Sequence, residues 1–279
     1  MNPNNPLKQY FRQPAIYIKL PSKGNNYPTG TLTIPPTGEL PVYPMTAIDE
    51  ITYRTPDALY NGQATVNVIQ SCVPDIKDAW AIPVTDIDTL LVAIRIASYG
   101  HNLEFSSTCP KCNDDSNRTM DLRTVLDSMG APDYSKNIVA GDMTIFFKPL
   151  NYKNLNDNNQ MQYENQKLLQ LLPDAAVPDS EKMTALSDAL KKITDITVTA
   201  LGQSITAIKT PTILVSEPEY INDFLKNCDR ALFNQIRDFI VNLKTQSEMK
   251  PMKISCPACN HDYEQALTLD MSSFFGPAS

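Results

Sequence analysis

The stretches Cys109-Pro110-Lys111-Cys112 and Cys256-Pro257-Ala258-Cys259 decide how this chain is organised. A Cys-Pro-x-Cys turn directs two sulfur atoms toward one point, and two such turns supply the four thiolates of a tetrahedral Zn²⁺ site. Each turn follows an extended segment and continues with an asparagine and, two residues later, an aspartate. We therefore predict a structural zinc ion bound by the two halves of one zinc ribbon, with the ligands Cys109, Cys112, Cys256 and Cys259.

The segment between the two turns, residues 113–255, is long for a zinc ribbon. Closing a loop of that length costs ~4 kcal/mol of chain entropy, whereas a structural zinc site contributes an apparent ~10–16 kcal/mol at neutral pH. The metal can therefore hold the C-terminal part of the chain against its middle.

Other interpretations of the cysteines remain open. The four could be metal-free buried thiols or disulfides. A thioredoxin-like redox site is the third alternative, although it needs a Cys-x-x-Cys at a helix N-terminus in a parallel α/β frame, which this sequence lacks. His261 could replace one cysteine ligand. Cys72 and Cys228 stand alone in or beside apolar helical stretches, which favours core packing.

The remaining sequence predicts an α+β fold that is mainly helical. Short β segments are predicted at 16–20, 31–34 and 40–43, and a β-hairpin at 138–148. Helix-start residues and apolar periodicity predict helices from Thr46 onward and at 55–71, 85–99, 151–172, 180–201, 217–227 and 229–248.

Four regions follow from these patterns. They are an extended N-terminal arm (1–14), an α+β region that ends in the first cysteine turn (15–112), a mainly helical insertion (113–255), and the second cysteine turn with the C-terminal tail (256–279). The arm is polar and rich in proline, so we expect it to become ordered against a neighbouring protein. The apolar pair Phe274-Phe275 in the tail is expected to dock into a groove of this chain or of a partner.

Composition excludes several classes of function. The formal net charge is −7. The sequence contains no Lys/Arg cluster of the kind that would indicate a nucleic-acid interface. The polar N-terminus predicts no secretory signal, and no apolar stretch approaches the ~20 residues of a membrane span. No nucleotide-binding, hydrolase or metalloprotease motif occurs, and a four-cysteine zinc is closed to water. We expect a protein that is not an enzyme.

Several ordered stretches carry a family resemblance: FRQP at 11–14, YIKLPSKG at 17–24, GELPV at 38–42, PMT at 44–46, TPDAL at 55–59, LLVAIRIASYG at 90–100 and PLNYK at 149–153. In these stretches the chain resembles the T-even-type phage baseplate hub proteins, also described as the bacteriophage base plate protein family. The resemblance covers residues 11–153 well and the rest loosely.

The resemblance implies a structural subunit of the central hub of a contractile phage tail, located in the virion baseplate and in the host cytoplasm during assembly. Its partners would be other hub and tail proteins, with homo-oligomerisation left open and no membrane or nucleic acid expected. One alternative is a hub assembly chaperone that does not stay in the virion. Another is a zinc-ribbon nucleic-acid-binding protein, which the acidic residues near the cysteine turns disfavour.

Overall fold

The computed structural model describes residues 5–53, 61–171, 179–247, 249–266 and 275. In chain order, its α-helices are α1 (Ala47–Tyr53), α2 (Gln63–Cys72), α3 (Val84–Tyr99), α4 (Leu122–Ser128), α5 (Tyr152–Leu171), α6 (Asp179–Gln203), α7 (Pro218–Asn227) and α8 (Arg230–Ser247). The strands are β1 (Ile16–Ile18), β2 (Leu40–Val42), β3 (Asn102–Thr108), β4 (Asp115–Asp121), β5 (Asn137–Ala140), β6 (Met143–Phe147), β7 (Ile205–Lys209), β8 (Leu214–Val215), β9 (Met252–Ser255) and β10 (Asp262–Gln265). The fold is therefore α+β, as predicted, and about half helical.

The chain divides into two compact units. Unit 1 contains Met1–Ala79, Thr85–Gly130 and Glu248–Ser279, and unit 2 contains Trp80–Val84 and Ala131–Ser247. Within the described ranges, unit 1 has three antiparallel strand pairs, β1–β2, β3–β4 and β9–β10, whereas unit 2 has one four-stranded sheet in the order β5-β6-β7-β8. No helix in the described part of the chain combines the length and the apolar character that crossing a bilayer requires.

Helix α3 forms the core of unit 1, as its nearly continuous apolar sequence predicts. Leu90, Val92 and Ile94 have no exposed surface. The helix ends at Gly100, whose N–H donates to the carbonyl of Ile96 over 3.0 Å and whose φ of +85° suits glycine.

Two predicted elements of unit 1 are wrong in detail. Residues 31–34 form no strand, and the segment makes a single isolated bridge between Leu32 and Ile76. Pro35 and Pro36 follow directly and lack the N–H groups that a longer ladder needs. The helix predicted at 55–71 is interrupted, because Gly62 is left-handed with φ of 74° and α2 begins at Gln63. The expected start of that helix at 55–57 lies outside the described residues.

Both ends of the chain contact α1. Thr46 and Asp49 form the predicted capping box, in which each side chain accepts the other's backbone N–H. Arg12 donates to the Asp49 carboxylate over 3.3 Å and to the Ser71 carbonyl over 2.7 Å. At the other end of α1, the buried ring of Phe275 packs edge-on against Tyr53 with centroids 4.7 Å apart.

Unit 2 encloses its own apolar core. The predicted hairpin is confirmed as β5–β6. Helix α8 presents its apolar face to the core, where the ring centroids of Phe239 and Phe147 are 4.6 Å apart. Helix α8 begins after Asp229, whose carboxylate accepts the N–H groups of Ala231 and Leu232. The fully buried members of this core include Ile145, Ile205, Ile221, Leu225 and Ile236.

Candidate metal centre

Each pair of cysteines lies in the loop of a β-hairpin in unit 1. Cys109 and Cys112 lie in the loop that follows the Thr108–Asp115 pair of β3–β4. Cys256 and Cys259 lie in the loop that follows the Ser255–Asp262 pair of β9–β10. The extended segments predicted before each turn are therefore the first strands of two similar hairpins.

The two loops have the same backbone hydrogen bonds. The N–H of the first cysteine donates to the carbonyl five residues later, Asp114 in one loop and His261 in the other, over 2.9 Å in both. The N–H of Asn113 donates to the carbonyl of Cys109, and the N–H of Asn260 donates to the carbonyl of Cys256, again over 2.9 Å in both. The asparagines have left-handed φ angles of 57° and 53°. Asparagine tolerates this conformation better than most residues, which explains why the same residue recurs.

The four sulfur atoms form one compact cluster. Cys109 Sγ lies 3.7 Å from Cys259 Sγ, Cys112 Sγ lies 3.6 Å from Cys256 Sγ, and all four lie within 4.8 Å of one another. Neighbouring sulfurs of a tetrahedral site with bonds of ~2.3 Å lie ~3.8 Å apart. The geometry and the donor set therefore fit a metal ion bound by four thiolates.

Burial is uneven across the cluster. Cys109 and Cys256 are each 1% exposed, whereas Cys259 is half-buried and Cys112 is exposed. A bound ion would therefore be sealed by protein on one side and accessible to a chelator on the other.

The local environment favours a thiolate at one position. Burial acts to raise the pKa of Cys109, but the N–H groups of Cys112 and Lys111 donate to its sulfur and bring the pKa down to about 7. At Cys112 the N–H of Asp114 lowers the pKa, but hydrogen bonds shared with the neighbouring sulfurs, that of Cys259 foremost, raise it to about 12. A bound cation supplies the charge that lets clustered thiols ionise together.

Among the described residues, two hydrogen bonds join the hairpins in addition to the sulfur contacts. The hydroxyl oxygens of Ser107 and Tyr263 lie 2.6 Å apart. Arg118 Nη2 donates to the carbonyl of Ser255 over 2.6 Å. Sequence reasoning missed these residues, because serine, arginine and tyrosine in strands carry no signal until the two hairpins are docked.

The other candidate residues lie apart from the sulfur cluster. The group that could hold a metal does not include His261, whose ring lies 6.4 Å from that of Tyr263 between centroids. Cys72 is fully buried, and Arg12 donates to its sulfur over 3.8 Å. Cys228 is half-buried, and its thiol donates to the carbonyl of Leu225 over 3.6 Å.

The geometry bears on the two metal-free interpretations. Sulfur separations of 3.6 and 3.7 Å exceed the ~2.05 Å of a disulfide bond, and all the cysteines are free. Neither Cys-x-x-Cys lies at a helix N-terminus, where a thioredoxin-like site needs it.

Comparison with known protein families identifies a match. The sequence profile of the family described as T4 bacteriophage base plate protein matches residues 32–276. This range contains both hairpins and all of unit 2, whereas the resembling stretches at 11–24 precede it. No curated protein matches the chain. No solved structure matches it either.

Proposed function

Because this chain belongs to the T4 bacteriophage base plate protein family, we propose that it is a subunit of the central hub of a contractile tail. Membership supports a structural role in the base plate of the virion tail. The hub position is the finer proposal, and the ordered resemblance of residues 11–153 to hub proteins supports it. The subunit acts by holding other hub and tail proteins together and catalyses no reaction.

Exposed apolar side chains support this protein-binding role. On the N-terminal arm, Leu7 and Tyr10 are 60% and 76% exposed. Arg12, near the C-terminal end of the arm, attaches the arm to α1 through its hydrogen bond to Asp49. On α6 of unit 2, Met183, Leu186 and Leu190 are exposed at spacings of three and four residues, which places them on one face of the helix. Apolar surface of this kind is typical of sites that contact other proteins.

A structural zinc ion is the proposed staple of unit 1. The observation that carries it is the sulfur cluster, whose separations of 3.6 and 3.7 Å suit Zn²⁺ bound by thiolates. When bound, the ion closes the long connection between β4 and β9 and holds the β9–β10 hairpin against the β3–β4 hairpin within unit 1. A four-thiolate zinc has no open position for water, so the site serves structure.

Purified virions test the hub proposal. Mature particles of the phage that encodes this chain, and assembly intermediates that lack tails, are analysed by quantitative mass spectrometry against a known tail protein. We expect the chain in mature particles at a fixed ratio, and chemical crosslinks from its arm to other base plate proteins. Presence in intermediates with absence from mature particles would show an assembly factor. Crosslinks to peripheral base plate proteins alone would contradict the hub position.

A further inference from the structure

The sulfur cluster alone does not fully determine how the two hairpins lie against each other. Each hairpin contributes two sulfurs from one loop. A tetrahedral ion fixes the angle between its two S–metal–S planes, but each hairpin can still tilt about the line through its own two sulfurs. Binding sites keep their affinity when the ligands are held within ~0.5 Å of the productive geometry. Contacts away from the sulfurs can therefore preorganise the site by holding the two hairpins in place before metal binds.

Ser107 and Tyr263 make such a contact. Ser107 lies on β3, shortly before Cys109, and Tyr263 lies on β10, shortly after Cys259. The pair is therefore close to the sulfurs but outside the two loops. Their hydroxyl oxygens are 2.6 Å apart, and Ser107 is 1% exposed. Because water does not reach the Ser107 hydroxyl, removing the Tyr263 hydroxyl would leave the Ser107 hydroxyl buried without a hydrogen-bond partner.

Arg118 makes the second contact. Its Nη2 donates to the carbonyl of Ser255, the residue directly before the ligand candidate Cys256, over 2.6 Å. Its Nε donates over 3.2 Å to the hydroxyl of Ser116, which lies opposite Ser107 in the β3–β4 register. The guanidinium thus ties β4 to the backbone from which the second loop begins.

We propose that Tyr263, Ser107 and Arg118 are positioning residues, which dock the two hairpins so that the four cysteines form a preorganised metal site. This inference rests on the proposed zinc staple and deepens it. None of the three residues belongs to the group of candidate ligands. They act by fixing where the two loops meet.

Metal affinity of the purified full-length protein tests the proposal. Zn²⁺ affinity is measured by competition with a chromogenic chelator, and Co²⁺ is used as a probe because its absorption spectrum reports the geometry of a thiolate site. Tyr263→Phe removes one hydroxyl and keeps the ring. We expect it to weaken Zn²⁺ binding roughly 2- to 10-fold, the worth of one hydrogen bond, and to change the Co²⁺ spectrum. Arg118→Gln is expected to act in the same direction.

A double-substitution cycle separates positioning from general loss of packing. If Tyr263→Phe and Ser107→Ala break the same hydrogen bond, the double variant binds zinc no more weakly than the single ones. Tyr17→Phe is the matched control in unit 1, since its side chain is exposed, and it should leave affinity and spectrum unchanged.

The outcomes distinguish this inference from the zinc staple itself. Wild-type affinity and spectrum in Tyr263→Phe and Arg118→Gln would overturn the positioning role and leave the staple standing. Additive losses in the cycle would show that the two hydroxyls act separately. A wild-type protein that binds neither Zn²⁺ nor Co²⁺ would overturn the staple and this inference together.

Discussion

Cys112 and Cys256 are 144 positions apart in the chain, yet their sulfur atoms lie 3.6 Å apart. Cys109 and Cys259 repeat this relationship over 150 positions at 3.7 Å. The segment between the two pairs of sulfurs contains Ala131–Ser247, most of unit 2, so the sulfurs join parts of unit 1 that are far apart in the chain. The stability of unit 1 should depend on what these sulfurs bind.

Metal content is the most direct consequence. Elemental mass spectrometry of the purified protein should find one zinc per chain. Chelation under denaturant-free conditions should release the zinc and increase the number of reactive thiols by four. A protein without metal, whose four cysteines react before chelation, would contradict the zinc staple.

Substituting one sulfur should release the C-terminal hairpin. We expect Cys259→Ser to lose the metal and to lower the unfolding temperature by roughly 10 °C or more, because a structural zinc contributes far more than the few kcal/mol that such a shift represents. Cys228→Ser is the matched control, since Cys228 lies outside the sulfur cluster, and Cys72→Ser should likewise have little effect. Equal thermal shifts in Cys259→Ser and Cys228→Ser would be incompatible with the staple.

Arg12 should stabilise unit 1 more than an ordinary surface arginine. Its guanidinium binds Asp49 and both oxygens of Ser71, and its side chain is 25% exposed. Hydrogen bonds to charged groups contribute ~1.5–3 kcal/mol, so Arg12→Ala should lower the unfolding temperature by roughly 4–8 °C. Arg237→Ala, which breaks an exposed pair with Asp238, should shift it by about 2 °C at most. Similar shifts in both variants would show that Arg12 contributes no more than a surface charge.

Asp86 should give unit 1 a distinctive pH dependence. Its carboxylate has no exposed surface, and burial raises its pKa even though hydrogen bonds from Ser22 and Tyr27 lower it. The folded protein then keeps a proton at pH values where the unfolded chain has lost it. The Asp86 contribution to the free energy of unfolding should therefore fall as pH rises from the unfolded pKa of ~3.9 to the higher folded pKa.

Asp86→Asn isolates this contribution, because the other titrating groups are common to both proteins. Urea unfolding is measured for wild type and variant between pH 4 and pH 8. We expect the free energy of unfolding of the wild type, minus that of the variant, to decrease as pH rises. A difference independent of pH would show that Asp86 ionises as an ordinary carboxyl.

Arg95 is a buried charge that the fold should tolerate losing. It is 1% exposed, its Nε and Nη1 have no hydrogen-bond partner among the described residues, and its guanidinium lies over the Tyr99 ring at 4.6 Å. Replacing an uncompensated buried charge by an apolar side chain of similar volume is often stabilising. Arg95→Met should therefore raise the free energy of unfolding by about 1 kcal/mol in a urea titration, whereas Arg95→Lys should lower it. A less stable Arg95→Met would show that the contact with Tyr99 outweighs the unpaired N–H groups.

Local rules in the sequence account for much of the fold. The capping box of Thr46 and Asp49, the stop at Gly100 and the apolar repeat of α8 each depend on residues a few positions apart. The convergence of the four cysteines was also predictable, since both loops carry the same Cys-Pro-x-Cys and asparagine pattern. These features share one property: the residues that determine them are close in sequence or repeat the same motif.

The features that could not be predicted depend on contacts between distant segments. Arg12 reaches Asp49 and Ser71 only after the arm has folded back onto α1. Ser107 and Tyr263 are 156 positions apart and belong to different hairpins. The start of α2 at Gln63 is a local exception, because the left-handed Gly62 directly before it lies inside the predicted helix.

The three-segment construction of unit 1 has a consequence for the order of synthesis. Its last segment begins at Glu248, after all of unit 2 has been made. The β3–β4 hairpin therefore leaves the ribosome with two sulfurs whose counterparts do not yet exist, and unit 2 can fold first, as domains that emerge complete generally do. A polypeptide that terminates before Cys256 cannot assemble the cluster at all. Closure of the four sulfurs thus marks a chain that has been translated past Cys259.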